Sequence, residues 1–298
     1  MPVLTTCSEE LDGSQTGVDM VNLKGKVAVV TGASRGVGKG IALGLGEAGA
    51  TVYVTGRTTQ EGTDIDKLGG TVFTTAEEVT ANGGKGIAVA CDHRDDSQVK
   101  KVFQRVAEES RRLDVLVNNA WGGYEQMEHD GEFTWLKPFW SQPLWRWDAM
   151  FQGGVRAAYV ASACAARMMV EQKNGLIVNI SYWAAQKYMS NVSYGAAKAA
   201  VDKMSAYMAH EIEKFNVAVI SLYPGLVRTE SVLRNAQYFD MSNSESPQFI
   251  GRVIASLAND TNIMSKTGQV LVAAALAEEY GIQDIDGKQP TPLTLETS

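Results

Sequence analysis

The sequence predicts an α/β protein that forms a single domain, with a doubly wound parallel sheet of seven strands and helices on both faces. Three observations lead to this fold class: short valine-rich apolar runs, stretches of helical apolar spacing between them, and a glycine-rich turn after the first run. Such runs are typical of parallel strands buried on both faces. Because strands that alternate with helices are joined by right-handed crossovers, they form one sheet.

The predicted elements alternate along the chain, with one polar insertion. The strands are residues 26–31, 51–55, 86–91, 113–117, 175–181, 217–222 and 269–273. The helices are the stretch after Gly38, residues 76–81, 97–111 and 144–172, the stretch around Tyr194, and residues 247–258. Residues 60–75 are polar and contain glycine without a clear period, which predicts a loop.

The composition indicates which kinds of binding partner are improbable for this protein. The 298 residues are 45% hydrophobic and 20% charged, as in ordinary globular proteins, and the net charge of -7 argues against nucleic acid or an anionic membrane. No apolar run reaches the roughly 18 residues of a membrane span. Three cysteines and three histidines show neither ligand spacing nor a disulfide framework. We therefore expect no metal site, a reducing compartment and a cytoplasmic location.

The two ends of the chain are predicted to lie outside the main domain. Residues 1–22 lack a basic region followed by an apolar core, so they are not a secretory signal and are predicted to be a flexible arm. The domain then covers residues 23–275. Residues 276–298 contain proline and acids, and we expect this tail to cover a neighbouring subunit or the mouth of the pocket.

The turn after the first strand is predicted to bind the pyrophosphate of a dinucleotide. Its residues include Gly32, Ser34, Arg35, Gly36, Val37 and Gly38, and a helix follows directly. Glycines let the backbone approach the phosphates, while free N–H groups and the positive end of the helix face their charge. The position between a strand and a helix, more than the glycines alone, supports this prediction.

The short segment after the second strand predicts which dinucleotide binds. A unit of this kind places an acid there for the ribose 2'-hydroxyl, or an arginine for a 2'-phosphate. This chain has Arg57 and Thr58 there, with Arg35 in the glycine turn. Because a guanidinium pairs with phosphate in a fork, these arginines favour NADP(H), although Arg57 could also be a solvated surface residue. Asp92, after the third strand, is expected to border the adenine pocket.

A tyrosine and a lysine four residues apart, Tyr194 and Lys198, share one face of a predicted helix. A free phenol titrates near about pH 10, and a cation nearby is expected to lower the pKa of Tyr194. A phenol tuned toward neutrality gives a proton to an oxygen or takes one from it. Interconversion of a carbonyl and an alcohol needs this chemistry. The spacing alone occurs often by chance, so the other motifs must support it.

Three motifs together resemble the classical short-chain dehydrogenase/reductase superfamily. They are TGxxxGxG at residues 31–38, NNA at residues 118–120 and YxxxK at residues 194–198. The resemblance covers about residues 23–275 and implies a Rossmann-type domain in which Asn119 and Ala120 line the cofactor. It also implies a homodimer or homotetramer, since relatives pair long helices between subunits. The runs at 223–230 and 280–287 are further similar to the dehydrogenase/reductase member 1 branch.

The connection after the fourth strand, residues 121–147, carries five of the six tryptophans. A connection of this length is usually functional, and this one leaves the sheet edge where α/β proteins bind ligands. We expect it to fold over the cofactor as an apolar wall, with Trp121 and Trp140 against the substrate and Trp121 also against the cofactor. Alternatively, the rings form a subunit interface or extra core, since aromatics are enriched at subunit contacts.

The helix after this connection departs from the family pattern. In relatives, an asparagine seven residues after a Trp-Asp pair bends the helix and holds a water of the proton relay. Counting from Trp147 reaches Gly154, which follows Gly153. Two glycines within a helix cost about 1 kcal/mol each and allow a kink, where a freed carbonyl could hold the water.

Two residues are candidates for polarising the substrate oxygen. Ser181 lies thirteen residues before Tyr194, the separation usual in the family, which implies that it is the third catalytic residue. Counting forward from Asn-Ile-Ser in the strand instead selects Tyr182. A hydroxyl of either kind polarises a carbonyl. We expect Ser181 to be catalytic, with Tyr182 as the alternative donor or as a wall of the substrate pocket.

The turn after the sixth strand is similar to the family's PG turn, whose later residues meet the nicotinamide carboxamide. The resemblance implies cofactor contacts by Pro224, Gly225, Val227 and Thr229. Residues 230–245 are polar with scattered apolar side chains, and correspond to the mobile substrate lid of relatives.

Together these features predict an NADP(H)-dependent oxidoreductase that transfers a hydride between nicotinamide and a carbonyl or alcohol substrate. Tyr194 would move the proton, Ser181 would polarise the oxygen, and Lys198 would bond the nicotinamide ribose. We expect reduction of a hydrophobic or aromatic ketone, quinone or steroid-like compound. Gly154 in place of the asparagine, together with the ambiguity between Ser181 and Tyr182, motivates an alternative, an NADP(H)-binding sensor or scaffold with little or no turnover. An extended-branch epimerase also has YxxxK, but its glycine spacing and chain length differ.

Overall fold

In the computed structural model, the described residues are 21–64, 67–125, 127–129 and 132–298. The arm predicted over residues 1–22 lies outside them, apart from its last two residues. Within the described part, no helix combines the length and apolar character needed to cross a bilayer.

The predicted seven-stranded parallel sheet is confirmed. The described strands are β1 (Val27–Val30), β2 (Thr51–Gly56), β3 (Lys85–Ala90), β4 (Val115–Asn118), β5 (Glu128–His129), β6 (Glu132–Phe133), β7 (Gly175–Ile180), β8 (Val217–Tyr223) and β9 (Val270–Val272). Strands β5 and β6 form a separate antiparallel hairpin, and the others pair in the order β3-β2-β1-β4-β7-β8-β9. The strand order reverses between β1 and β4, so their carboxyl ends open the cleft where such sheets bind ligands.

Helices cover both faces of the sheet. They are α1 (Gly36–Glu47), α2 (Val72–Ala81), α3 (Asp96–Ser110), α4 (Leu144–Met150), α5 (Ala157–Gln172), α6 (Val192–Ile212), α7 (Glu230–Arg234), α8 (Pro247–Asn259) and α9 (Ala273–Tyr280). Side chains of β1 alternate between the two layers, because successive residues of a strand point to opposite faces. Ala28 and Val30 join a core with α1, α2, α8 and α9, while Val27 and Val29 join a core with α3, α5 and α6.

The insertion predicted as a loop at residues 60–75 ends earlier than expected, because α2 begins at Val72. Thr71 forms a reciprocal cap with Thr74: each side-chain oxygen accepts a hydrogen bond from the other residue's backbone N–H, both at 3.0 Å. Capping of this kind satisfies N–H groups that have no partner inside the helix. The spacing of apolar residues did not predict this start, because the first turn of α2 contains two threonines.

The single helix predicted for residues 144–172 is divided into three segments. Between α4 and α5 the backbone forms a π-helical segment, Phe151–Arg156, which contains Gly153 and Gly154. Such segments are rare and occur often at functional sites. The kink expected from the two glycines is therefore a wider turn of helix.

The predicted boundary at residue 275 falls inside α9, so residues 276–298 are not a separate tail. Leu276 and Ala277 belong to the main core. Farther along, Asp284 is 3% exposed and pairs with Arg228 at 2.9 Å. The backbone oxygen of Leu295 accepts a hydrogen bond from Lys187 at 3.1 Å. The segment is anchored because its side chains contribute core and buried polar contacts that composition does not reveal.

Candidate active site

The cleft at the switch point joins the glycine turn to the NNA segment. Thr31 Oγ1 accepts hydrogen bonds from the backbone N–H groups of Asn119 (3.0 Å) and Ala120 (2.9 Å). In return, the Asn119 side chain donates to the carbonyl oxygens of Thr31 (3.1 Å) and Gly32 (3.0 Å). These bonds tie the carboxyl ends of β1 and β4 together at the predicted dinucleotide site.

The glycines of the turn are required by close backbone contacts. A Cβ atom on Gly38 would lie 2.3 Å from the Gly32 oxygen, and one on Gly32 would lie 2.8 Å from the Ala120 Cα atom. Gly32 and Gly36 also have positive φ angles of 65° and 58°. Larger residues would therefore clash with the backbone or strain it.

The first turn of α1 donates a hydrogen bond to a carboxylate side chain of the same protein. Glu230 Oε2 accepts a hydrogen bond from the Gly36 N–H at 3.0 Å. The chemistry of this contact fits a phosphate oxygen, because both are charged acceptors at the positive end of a helix. The residues of the glycine turn thus suit the pyrophosphate of a dinucleotide. Ser34 and Val37 lie in the same turn, and Ser34 is 6% exposed.

The two arginines that predict NADP(H) have different surroundings. Arg35 donates from Nη2 to Thr58 Oγ1 at 3.0 Å and from Nε to the Gly69 oxygen at 2.7 Å. Arg57 is more exposed and pairs with Glu125 at 2.9 Å. The structure therefore brings Arg35 to Thr58, the residue after Arg57, while both guanidinium groups contact protein acceptors.

Asp92, predicted to border the adenine pocket, follows β3 and pairs with Arg94 at 2.6 Å. The hydrogen bond from that guanidinium holds the pKa of the Asp92 carboxyl below its usual value. Its contact with adenine stays a prediction.

Tyr194 and Lys198 lie near the start of α6 and are 7% and 5% exposed. Asn191 caps this helix: its side-chain oxygen accepts from the Tyr194 N–H at 3.0 Å, and its amide donates to the Trp135 oxygen at 3.2 Å. Lys198 Nζ lies 5.8 Å from the centre of the Tyr194 ring and donates to the Ile180 oxygen at 3.3 Å. One capping residue therefore positions the tyrosine and the aromatic connection together.

The expected fall in the pKa of Tyr194 is not found. Burial raises the pKa of the Tyr194 hydroxyl well above its ordinary value. Burial also lowers the pKa of Lys198 to about 7, an effect that the charge of Asp202 opposes. Because desolvation disfavours the charged form of both groups, it outweighs the attraction between a phenolate and an ammonium here.

An aromatic cluster surrounds the Tyr194 ring. Trp121, Tyr124 and Trp135 lie with ring centres 6.0, 5.9 and 5.8 Å from it. The hydroxyl of Tyr124 donates a hydrogen bond to the hydroxyl of Tyr194 at 3.1 Å. Although Tyr124 is 42% exposed, its hydroxyl lies inside the cluster, and this burial raises the pKa of Tyr124 to about 12. The connection therefore packs beside Tyr194, while its expected role over the cofactor and against the substrate stays a prediction.

Trp140 does not join this cluster. It is 76% exposed and packs edge-on against Phe139, with ring centres 5.3 Å apart. Its predicted contact with substrate stays a prediction.

The two candidates for polarising the substrate oxygen occupy different positions. Ser181 is 2% exposed, and its hydroxyl lies 3.4 Å from the Lys198 backbone oxygen. Tyr182 packs against the cluster that contains Tyr194 and Trp135. Burial raises the pKa of the Tyr182 hydroxyl. Tyr182 thus lines the same space as Tyr194, while the choice between the two donors stays open.

Trp121 fills the space next to Gly154, the position at which the classical family pattern would have an asparagine. A Cβ atom on Gly154 would lie 2.6 Å from two carbons of the Trp121 ring. The other side of the indole lies near Lys198, whose Nζ is 3.8 Å from the ring centre. At this distance a cation is attracted to the electron-rich ring face.

The PG turn is held by a buried carboxylate. Glu245, 1% exposed, accepts a hydrogen bond from the Gly225 N–H at 2.6 Å, and its backbone forms a parallel bridge with Val227. Burial raises the pKa of Glu245 to about 7. Thr229 caps α7, with its hydroxyl accepting from the Val232 N–H at 3.3 Å. Pro224 begins this turn directly after β8.

Sequence reasoning missed three site residues, Tyr124, Trp135 and Glu245. Tyr124 and Trp135 belong to the connection of residues 121–147 that was predicted to be functional. The short spacing of Tyr124 from Trp121, three residues, was a signal for Tyr124. Glu245 follows no comparable signal, because its role depends on a contact with a turn 20 residues earlier.

The fold and these motifs define a dinucleotide-binding oxidoreductase. A profile of the short chain dehydrogenase family matches residues 26–237, and the chain belongs to this family. Members use a nicotinamide cofactor and act on CH–OH or C=O groups.

Individual relatives show which branch of the family the chain is similar to. It is 42% identical to the mouse (Mus musculus) Dehydrogenase/reductase SDR family member 1 and 40% identical to the human (Homo sapiens) protein, covering 89% of this chain and 85% of each relative. The resemblance to that branch is therefore confirmed.

Solved structures show the same fold with different cofactors. A metagenomic short-chain oxidoreductase in complex with NADP is 31% identical, with a TM-score of 0.65 over 84% of this chain and 97% of that one. A 7α-hydroxysteroid dehydrogenase complexed with NADH and 7-oxo glycochenodeoxycholic acid is 25% identical, with a TM-score of 0.69 over 87% and 96%. Both dinucleotides thus occur among similar structures.

Proposed function

We propose that this protein is an NADP(H)-dependent reductase of hydrophobic or aromatic carbonyl compounds, such as ketones, quinones or steroid-like molecules. One observation carries the proposal: the Tyr194 ring packs 6.0 Å from Trp121, the residue directly after the segment that is bonded to the glycine turn. A proton donor and a dinucleotide site therefore share one cleft.

The chain supplies proton transfer and orientation, while a bound NADPH would supply the hydride. Tyr194 gives its hydroxyl proton to the substrate oxygen, and the buried Lys198 holds the nicotinamide ribose. Ser181 polarises the substrate oxygen, with Tyr182 as the alternative. Catalysis by a positioned acid of this kind typically contributes on the order of 100-fold to 10,000-fold.

The aromatic wall supports the choice of substrate class. Trp121, Tyr124 and Trp135 present rings rather than charges to the space beside Tyr194. Pockets lined by such side chains favour apolar ligands that carry a few polar groups. The related hydroxysteroid dehydrogenase structure was solved with a 7-oxo bile acid, which belongs to this class.

The arginines support NADP(H) over NAD(H). Arg35 reaches Thr58 at the end of β2, and Arg57 precedes that residue. Neither position offers the acid that would bond an unphosphorylated ribose. The homo-oligomeric state and the cytoplasmic location stay predictions from the sequence.

A turnover assay tests the activity. Purified protein is mixed with NADPH and a panel of hydrophobic ketones and quinones, and nicotinamide absorbance is followed. We expect consumption with at least one compound and a loss on the order of 1,000-fold in kcat for Tyr194→Phe. Tight NADPH binding without consumption on any compound would instead support the sensor or scaffold. Ser181→Ala and Tyr182→Phe, measured in parallel, decide which hydroxyl polarises the substrate.

A second assay tests the cofactor. Arg35→Ala and Arg57→Ala should each weaken NADPH binding more than NADH binding, because the 2'-phosphate is the part of the cofactor that each guanidinium would contact. Arg105→Ala, an exposed arginine of α3 paired with Glu109, is the control. An unchanged preference in both variants would show that these guanidinium groups do not read the phosphate.

A further inference from the structure

The hydroxyl of Tyr194 already has a phenolic partner. Tyr124 donates to it at 3.1 Å, with ring centres 5.9 Å apart. In this arrangement the Tyr194 oxygen is the acceptor, so its own proton remains directed elsewhere. A substrate oxygen can therefore receive that proton while the bond from Tyr124 stays in place.

Tyr124 lies at the edge of the cluster, with part of its ring at the protein surface and its hydroxyl inside. It is 42% exposed, whereas Tyr194 is 7% exposed. Trp121 and Trp135 flank the Tyr124 ring, with centres at 6.1 and 5.6 Å, and hold its hydroxyl toward Tyr194. Among the described residues near Tyr194, this side chain combines a direct bond to the reacting oxygen with a ring that reaches the protein surface.

The space between Lys198 and the π-helical segment is occupied by the ring of Trp121. The Trp121 ring centre lies 3.8 Å from Lys198 Nζ, and the same ring would lie 2.6 Å from a Cβ atom on Gly154. An indole packed this closely against both residues leaves no room between them for a water molecule. A proton path from Lys198 to the helix is therefore blocked on this side.

We propose that Tyr124 is a further catalytic residue, which returns a proton to Tyr194 after each turnover, while Trp121 closes the route past Lys198. This inference rests on the proposed function. It assigns the proton supply of this chain to the aromatic connection rather than to the helix that follows it.

The proton balance is complete in the direction of reduction. The hydride forms a C–H bond at the substrate carbonyl carbon, and the Tyr194 O–H bond breaks to protonate the resulting alkoxide oxygen. The Tyr194 oxygen then takes the proton of Tyr124, and Tyr124 takes one from solvent water. NADPH is oxidised and the carbonyl reduced, with one proton drawn from solvent.

The test compares the first turnover with later ones in wild type and Tyr124→Phe. Each enzyme is mixed rapidly with NADPH and a reducible substrate, and nicotinamide absorbance is followed. In Tyr124→Phe the first turnover uses the proton already on Tyr194, so a burst of about one NADPH per site is expected. A steady rate slower on the order of 100-fold should follow, with an increased solvent deuterium isotope effect.

Phenylalanine keeps the ring contacts of Tyr124, so packing is largely preserved, and Tyr159→Phe, a 56% exposed tyrosine of α5, controls for loss of a hydroxyl. Added imidazole should restore the steady rate of Tyr124→Phe without changing the burst. Equal rates in Tyr124→Phe and wild type, or a loss without a burst, would overturn the proposal. An inactive wild type would instead refute the proposed function, so the two failures are distinguishable.

Discussion

The two walls of the cleft are built in different ways. The glycine turn is held by short bonds between side-chain and main-chain atoms: the Thr31 hydroxyl accepts from the Asn119 N–H, and the Asn119 amide donates to the carbonyl oxygens of Thr31 and Gly32. The aromatic wall is held by side chains, with rings packed around Tyr194 and Arg146 behind them. The first wall depends on small residues at fixed places, while the second depends on large residues that fit one another.

This difference determines which substitutions each wall accepts. In the glycine turn, a carbon added at Gly38 meets the Gly32 backbone oxygen, which cannot move away by a change of rotamer, so a single methyl group disturbs the turn. A wall of side chains can adjust rotamers, and its failures should be graded and local. Four predictions, from the largest expected effect to the smallest, test this contrast.

Gly38→Ala should have the largest effect. Its Cβ atom would lie 2.3 Å from the Gly32 oxygen and 2.4 Å from Asn119 Nδ2. We expect a loss of about 4 kcal/mol or more in the free energy of unfolding, measured by urea denaturation, and loss of dinucleotide binding. Gly281→Ala, which has no heavy atom within 4 Å of its Cβ position, is the control. A Gly38→Ala variant as stable as this control would contradict the contrast.

Arg146→Lys should destabilise the aromatic wall by about 3 kcal/mol. Arg146 is fully buried, donates to Gln142 Oε1 and to Thr134 Oγ1 (2.9 Å), and lies 5.5 Å from the Trp135 ring centre. Lysine cannot reproduce this planar fork. Hydrogen exchange should quicken in residues 132–150 but not in the glycine turn. The matched control is Arg105→Lys, at a half-exposed ion pair.

Glu245→Gln should remove a pH dependence of stability at the PG turn, where Glu245 accepts a hydrogen bond from the Gly225 N–H. Since the folded pKa of about 7 lies above the ordinary 4.5, the contribution of Glu245 is present below pH 4.5 and lost as pH rises through 7. The neutral variant should therefore gain about 3 kcal/mol relative to wild type between pH 4.5 and pH 8. Urea unfolding at both pH values measures this, and a constant difference would contradict the burial argument.

Gly154→Ala should have the smallest effect, about 2 kcal/mol, because its Cβ atom meets a side chain. The clash is with the Trp121 ring at 2.6 Å. The cost should nearly vanish in a Trp121→Ala background, where the ring is absent. Unfolding of the two single variants and the double variant completes the cycle. Additive effects would show that Gly154 and Trp121 do not depend on each other.

The same contrast explains which features of the structure could be predicted from the sequence. The strands, the glycine turn and the Tyr194–Lys198 pair were predictable because each is encoded over a few neighbouring residues. The start of α2 was missed because a threonine cap replaces the apolar signal. The predicted boundary at 275 failed because α9 and Asp284 make their contacts with distant segments.

By itself, the sequence determined the fold class and the family and predicted a dinucleotide site, since local periodicity and small residues at fixed spacing suffice for these. Only the tertiary structure decided that Tyr124 bonds to Tyr194, that Trp121 occupies the space beside Gly154, and that burial raises the pKa of Tyr194 rather than lowering it. The physical reason is that desolvation and ring packing depend on residues far apart in the chain, which come together only when it folds.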